Sequence, residues 1–267
     1  MQQLLFKNTA EDYLLSNQNH LNIECGFGLF KAIIYNPTSG KVIWACAEES
    51  TGIEESITSN KLEQIGYAEV SINLVNPYST LIPNELFEES QVNAYLDFNF
   101  ETIDNAISSV DDLKTIEAKN CYLIFEKEKE AIHKLINNAK IGHQSTGLIE
   151  LNRTKESLVL IEMHPTHFQL IHVKDNDFKI FNCFAYENVE DLLYYITYAL
   201  RQLGIEKEAD VEISGWINQT EEFYKRLKEY LPNIKIQSAE ANNVDLGCIP
   251  TGEAHVFNQV TRQHLCG

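Results

Sequence analysis

The clearest pattern of apolar and polar positions runs from residue 157 to 238. Leu158 to Met163 is nearly all apolar, as in a strand buried on both faces. Phe168 to Val173 and Phe178 to Ala185 predict two further strands, separated by Asp175-Asn176-Asp177. Asx side chains tolerate positive φ and bond their own backbone, so the tripeptide predicts a tight turn and the strands an antiparallel meander. Val189, Leu192, Leu193, Ile196, Ala199, Leu200 and Leu203 then repeat at helical spacing. Asn188 can cap this helix and Gly204 can end it. Tyr194, Tyr195 and Tyr198 widen the stripe, which reads as core packing. Asp210 to Gly215 is a short strand. Thr220 to Leu231 is a helix, opened by Asn218 with Glu221 three residues on and stopped by Pro232. Ile234 to Ile236 is a last strand. The order is β-β-β-α-β-α-β.

The first half repeats this order less legibly. Strands over 21–25, 29–35 and 41–47 form a meander, and Ala68 to Val75 a further strand. Pro83 to Glu89 starts a short helix with Pro at an early position. Lys119 to Phe125 is a strand and Lys127 to Ala139 an amphipathic helix. Gly142 to Lys155 crosses to the second half, and Thr251 to Leu265 forms a helix that docks back. The meanders align without a gap at an offset of 138 residues, with seven identities over the 29 positions from Leu21 to Glu49. Ile23 falls on Ile161, Glu24 on Glu162, Phe30 on Phe168 and Ile33 on Ile171. The predicted fold is therefore α/β with mixed sheets, in two related halves over 1–150 and 151–267. With no low-complexity linker between them, the halves are expected to pack as a clasped pair.

Composition narrows the function classes. The 267 residues carry 39 Asp and Glu against 21 Lys and Arg, a net charge of −18. Such a surface repels phosphate backbones and anionic lipid, which argues against nucleic-acid and membrane-surface partners. It leaves a solubilising surface, or one that docks a basic protein. The N-terminal MQQLLFKNTAEDYLL lacks the apolar core of a signal peptide, and no apolar run reaches membrane-spanning length. Six cysteines are scattered without a CxxC pair, and three of them lie in apolar strand patterns. Buried, reduced thiols in a cytoplasmic protein are the expectation. Cys266, next to the end, is expected to be exposed.

A three-stranded meander followed by α-β-α-β, present twice, resembles the actin/Hsp70/sugar-kinase superfamily, whose two RNase H-like domains clasp a nucleotide. Within it, LIPNELFEES (81–90), FAYENVEDLLYYI (184–196) and VEISGWI (211–217) look like a bacterial domain-of-unknown-function family with an actin-like ATPase fold and no established activity. Pilus and secretion proteins with degenerate actin-like folds look like its functional analogues. The superfamily's first phosphate loop resembles Asp-x-Gly-x-Gly-x-x-Lys. This chain has Glu24 in the aspartate position, followed by Gly26, Gly28 and Lys31. The resemblance implies that Glu24 would hold Mg²⁺ while Gly26, Gly28 and Lys31 touch phosphates of ATP. The alternative is a plain hairpin turn whose glycines supply positive φ and whose Lys31 is solvated.

The second loop should repeat Asp-x-Gly, but the chain reads Glu162-Met163-His164-Pro165-Thr166-His167. There is no glycine, and Pro165 removes a backbone donor. The adenosine motif is reduced to Ser214-Gly215, which would flank the base, and the bulky Trp216 follows. The reading is a non-catalytic binding or scaffold protein, a pseudoenzyme that needs no cofactor and has a protein partner. The other reading is a nucleotide-binding protein or weak ATPase or kinase that keeps the first loop with Mg·ATP. His164, His167 and His172 lack the further ligands of a zinc site and read as solvated or capping groups. Asp175 and Asp177 are explained by their turn. Ser145 and Ser214 have no visible base, and Cys25 reads as an inert strand thiol.

Overall fold

The computed structural model describes residues 3–7, 17–50, 52–136, 138–218, 221–237 and 245–265. The first half builds a six-stranded sheet in the order β1-β4-β3-β2-β5-β9. Its strands are β1 (Leu4–Lys7), β2 (His20–Gly26), β3 (Leu29–Asn36), β4 (Lys41–Glu49), β5 (Glu69–Leu74) and β9 (Lys140–His143). The meander β2-β3-β4 is antiparallel, and β5 and β9 add in parallel beside β2. Helices α1 (Ile53–Ser59) and α3 (Glu126–Leu135) complete the β-β-β-α-β-α-β series. Ile23, Phe30, Ile34, Trp44, Ile57, Ile72 and Ile132 form its core.

The second half has the same plan. Strands β10 (Leu158–Met163), β11 (His167–Lys174), β12 (Asp177–Ala185), β13 (Val211–Gly215) and β14 (Ile234–Ile236) form a sheet ordered β12-β11-β10-β13-β14. Helices α5 (Val189–Gln202) and α6 (Glu222–Tyr230) flank it, and Ile161, Phe168, Leu170, Ile196, Ile213 and Leu227 pack together. The local devices expected of the meander turn and of α5 are present, whereas α6 is preceded by Glu221 as its N-cap, with no side-chain capping bond. Asp175 and Asn176 take positive φ, Asn188 Oδ1 accepts from Asp191 N at 2.9 Å, and Gly204 has φ 67°. Helix α6 starts at Glu222, while residue 220 of the expected span lies outside the described residues, as does Cys266.

The duplication is visible in fine detail. A register shift falls between Ile34 and Tyr35 in one meander, and between His172 and Val173, 138 positions on, in the other. Val75 N donates to Cys25 O and Trp216 N to Met163 O, both at 2.8 Å, at the same point of the two sheets.

Beyond the extra edge strand β1 of the first sheet, the halves differ at one connection. Between β13 and α6 lie residues 216–221, whereas between β5 and α3 lie residues 75–125. This insertion holds a three-stranded antiparallel sheet, β6 (Ser79–Pro83), β8 (Ala118–Phe125) and β7 (Ala106–Leu113), with α2 (Val92–Asn99) on its outer face. In place of one continuous short helix from Pro83 to Glu89, there are two single 3₁₀ turns, Asn84–Leu86 and Glu89–Gln91. Phe87 and Glu88 are extended, and Glu88 N is held by Tyr95 Oη at 3.0 Å. The crossing segment contains β9 and a further helix, α4 (Gln144–Asn152).

The C-terminal segment docks back as two 3₁₀ stretches, Thr251–Phe257 and Val260–Leu265, not as an α-helix. Side chains from the two sheets take its carbonyls. Ser214 Oγ donates to His255 O at 3.1 Å and Asn22 Nδ2 to Val260 O at 3.1 Å. Gln263 Nε2 returns a bond to Ile23 O at 2.9 Å. The segment thereby ties one sheet to the other.

Candidate functional site

The two hairpin turns meet where the halves join. In the first, Gly26, Phe27 and Gly28 all have positive φ, at 131°, 47° and 81°. A Cβ on Gly26 would sit 2.3 Å from Val75 O, so glycine here serves the approach of β2 to the strand beside it. A Cβ on Gly28 would lie 3.7 Å from Pro165 Cβ in the second turn. Phe27 fills the space between, edge-on to His167 at 6.4 Å and against Tyr78 and Phe125.

Behind the turns lies a buried charged cluster. Glu24 pairs with Lys31 across β2-β3, and Glu162 pairs with Gln169 at the equivalent place in β10-β11. All four side chains are fully buried. Lys31 Nζ stands 3.0 Å from Glu24 Oε2 and 3.9 Å from Glu162 Oε1, so one ammonium serves carboxylates from both halves. Lys31 is therefore not the solvated strand residue of the plain-turn alternative.

His164 and His167 are also buried rather than solvated, and their rings stack at 4.5 Å. Burial pushes the His164 imidazolium well down, helped by His167, Lys31 and His143, and burial alone takes His167 to about 3. Both are held neutral beside the ion cluster. The sequence signal for this interior is slight: a charged residue in an otherwise apolar strand, at the same place in both repeats.

Ser214 and Gly215 lie at the end of β13 and are both occupied. Ser214 Oγ also accepts from Asn258 Nδ2 at 3.2 Å, and a Cβ on Gly215 would fall 2.4 Å from Met163 O and 2.7 Å from Glu162 Oε1. Trp216 is buried in the cluster that includes Leu29, Ile33, Val75 and Phe257. The structure thus brings Glu24 and Lys31 together with Glu162, and seals Ser214 under the C-terminal segment.

One correction concerns Ser145, whose Oγ lies 2.6 Å from His143 Nδ1, while Asn76 Oδ1 is 3.4 Å from His143 Nε2. A base is present, hidden from sequence by its position two residues upstream in a strand. Yet Ser145 and His143 are fully buried, and burial takes the imidazole to about 3. The pair caps α4 and joins Asn120, Thr146 and Asp111 in a network between α4 and the insertion. Burial raises the Asp111 carboxyl, while bonds from His143 N, Thr146 and Tyr122 oppose the shift.

A pocket of about 300 Å³ flanks the first turn, lined by Gly26, Phe27, Gly28, Ser50, Lys127 and Glu128. Burial brings the Glu128 carboxyl up to about 7. Among the described residues, no group of three or more His, Cys, Asp or Glu is arranged to hold a metal ion.

This two-sheet architecture is the actin-like ATPase fold. A Bacteroides thetaiotaomicron protein with actin-like ATPase fold and unknown function superposes with a TM-score of 0.71 over 83% of this chain and 91% of its own, at 22% identity. The type IV pilus biogenesis complex PilM-PilN contributes a chain with a TM-score of 0.60 over 93% of this chain and 99% of its own, at 10% identity. At the level of sequence, residues 9–234 match the profile of one family. The chain belongs to that family, "Protein of unknown function (DUF3822)". None of the curated proteins matches it.

Proposed function

We propose that the chain is a non-catalytic binding or scaffold protein, a pseudoenzyme in which the ancestral nucleotide position has become a clasp between the halves. The observation that carries this reading is the single Lys31 ammonium shared by Glu24 and Glu162, fully buried and engaged at the residues to which the superfamily resemblance would assign phosphates and Mg²⁺. Gly26 and Gly215 are accounted for by close backbone approach, and Ser214 by the C-terminal segment. A pilus-assembly chain, part of the PilM-PilN complex, shares the fold, which agrees with a protein partner for this one. Free thiols at Cys25, Cys46, Cys121, Cys183 and Cys248 fit a cytoplasmic setting. No helix among the described residues is long and apolar enough to cross a membrane.

A thermal-shift titration with Mg·ATP tests the reading. A ligand at a hundred times its dissociation constant stabilises its protein by about 2.7 kcal/mol. No shift at millimolar nucleotide is expected. A saturable, Mg²⁺-dependent rise in Tm overturns the scaffold reading and favours the second one, a nucleotide-binding protein or weak ATPase that keeps the first loop. That alternative draws on the pocket beside Gly26 and Gly28.

A further inference from the structure

The two halves differ most in the connection that became the insertion of residues 75–125. It carries the two most exposed large apolar side chains among the described residues, Phe98 at 89% and Leu86 at 69%. Tyr95 links them. Its hydroxyl donates to Leu86 O at 2.8 Å, and Phe98 follows Tyr95 by one helical turn in α2. Glu85, Glu88, Glu89, Asp97, Glu101 and Asp104 flank these residues along the chain, and all six are exposed. From residue 62 to 113 there are ten Asp and Glu and no Lys, Arg or His. Lys119 reaches the face from β8, but it lies over the Phe87 ring and is paired with Asp112.

Exposed apolar side chains in a stretch that carries one sign of charge select their occupant. A second copy would bring carboxylates against carboxylates, which costs free energy at close range. A partner that offers apolar side chains with Lys or Arg at their margins matches both features. The three exposed tyrosines of α5 form a rival patch, but each phenol keeps its hydroxyl in water, so their exposure costs less.

We propose that the insertion is a docking face for an amphipathic, cationic segment of a protein partner. Apolar side chains would cover Leu86 and Phe98, and basic ones would meet the six carboxylates. This deepens the binding reading above and rests on it.

The test uses the full chain and a labelled helical peptide of about four turns, leucines on one face and lysines and arginines on the other. Its binding is followed by fluorescence anisotropy. Two control peptides have the same residues in shuffled order, or glutamine in place of every basic residue. The amphipathic cationic peptide is expected to bind at least about tenfold more tightly than either control. Phe98→Ser, Leu86→Ser and the triple Glu85→Gln/Glu88→Gln/Glu89→Gln variant should each weaken it by about tenfold, with unchanged unfolding midpoints. Tyr198→Ser on α5 should leave binding as it is. Equal binding of the shuffled peptide, indifference to Phe98→Ser, or loss on Tyr198→Ser overturns the proposal. So does self-association of the wild type that Phe98→Ser abolishes, since a second copy would then be the occupant. The Mg·ATP titration addresses the buried cluster instead, so the two readings can fail separately.

Discussion

At the scale of single residues, the interior is governed by the cost of burying charge. Lys31 holds two carboxylates that have no access to water. Lys31→Met should therefore cost about 3–5 kcal/mol in urea unfolding, because both carboxylates lose their counter-charge. Adding Glu24→Leu and Glu162→Leu should recover most of that loss. A single-variant cost well under about 1 kcal/mol would mean that the cluster is reached by solvent. Gly26→Ala should destabilise more than Gly28→Ala, since only at Gly26 does the new Cβ meet a backbone oxygen at 2.3 Å. Both glycines have φ in the left-handed region, so Gly28→Ala should also cost some stability, and equal losses at the two positions would show that the contact with Val75 O is relieved.

The buried histidines set the response to acid. His143 and His167 have folded pKa values of about 3 and His164 is well below its usual range, whereas unfolded histidine titrates near 6.5. Between those limits the unfolded chain binds more protons. Stability is full above about pH 6.5 and falls as pH drops towards 3, by up to about 1.4 kcal/mol per unit for each histidine. Glu128, raised to about 7, opposes this over the upper part of the window, because the folded state takes up its proton first. Urea midpoints from neutral pH to about 4.5 should show a net loss, and His164→Gln should flatten it. An unchanged slope in that variant would place His164 in contact with water.

At the scale of elements, legibility followed periodicity. The second half could be read from sequence because its strands are apolar runs and α5 repeats every three to four residues. The insertion could be read only at β8, expected over Lys119 to Phe125. Strand β7 reads AISSVDDL, with polar side chains taken up by Asp111 and its partners, and β6 ends in Pro83. Helix α4 escaped for a related reason: it buries Gln144, Ser145 and Asn152, so its pattern lacks a polar face. Tyr194, Tyr195 and Tyr198, expected in the core from their spacing, all stand outside, with Tyr194 and Tyr198 stacked at 5.8 Å. The periodicity marks the stripe and says little about its edges. The C-terminal stretch depends on side-chain bonds to its carbonyls, so Asn22→Ala should loosen it first. Hydrogen exchange is expected to rise over 251–265 ahead of the two sheets, with about 1–2 kcal/mol lost overall. Uniform protection would show that the apolar contacts of Val256, Phe257 and Val260 suffice.

At the scale of the molecule, duplication supplied the frame and one connection supplied the difference. The Glu24 and Glu162 coincidence was visible in the aligned repeats, but the shared lysine was not, because no spacing shows that the two hairpins face each other. The net charge of −18 left two readings, a solubilising surface or one that docks a basic protein, and gave no place for the second. The insertion, which concentrates acid around exposed Leu86 and Phe98, gives that charge an address.

The lysine also constrains the history of the chain. At equivalent positions the first hairpin has Lys31 and the second Gln169. Two identical halves would have brought either two ammonium groups or none to a pair of carboxylates at the join. One ammonium for two carboxylates is an arrangement that a symmetric pair of separate subunits cannot make. Within one polypeptide the two hairpins are free to differ at their meeting point, as Lys31 and Gln169 do. A Lys31→Gln/Gln169→Lys exchange, which keeps the charge and reverses its side, would measure how far the two halves have since become unequal.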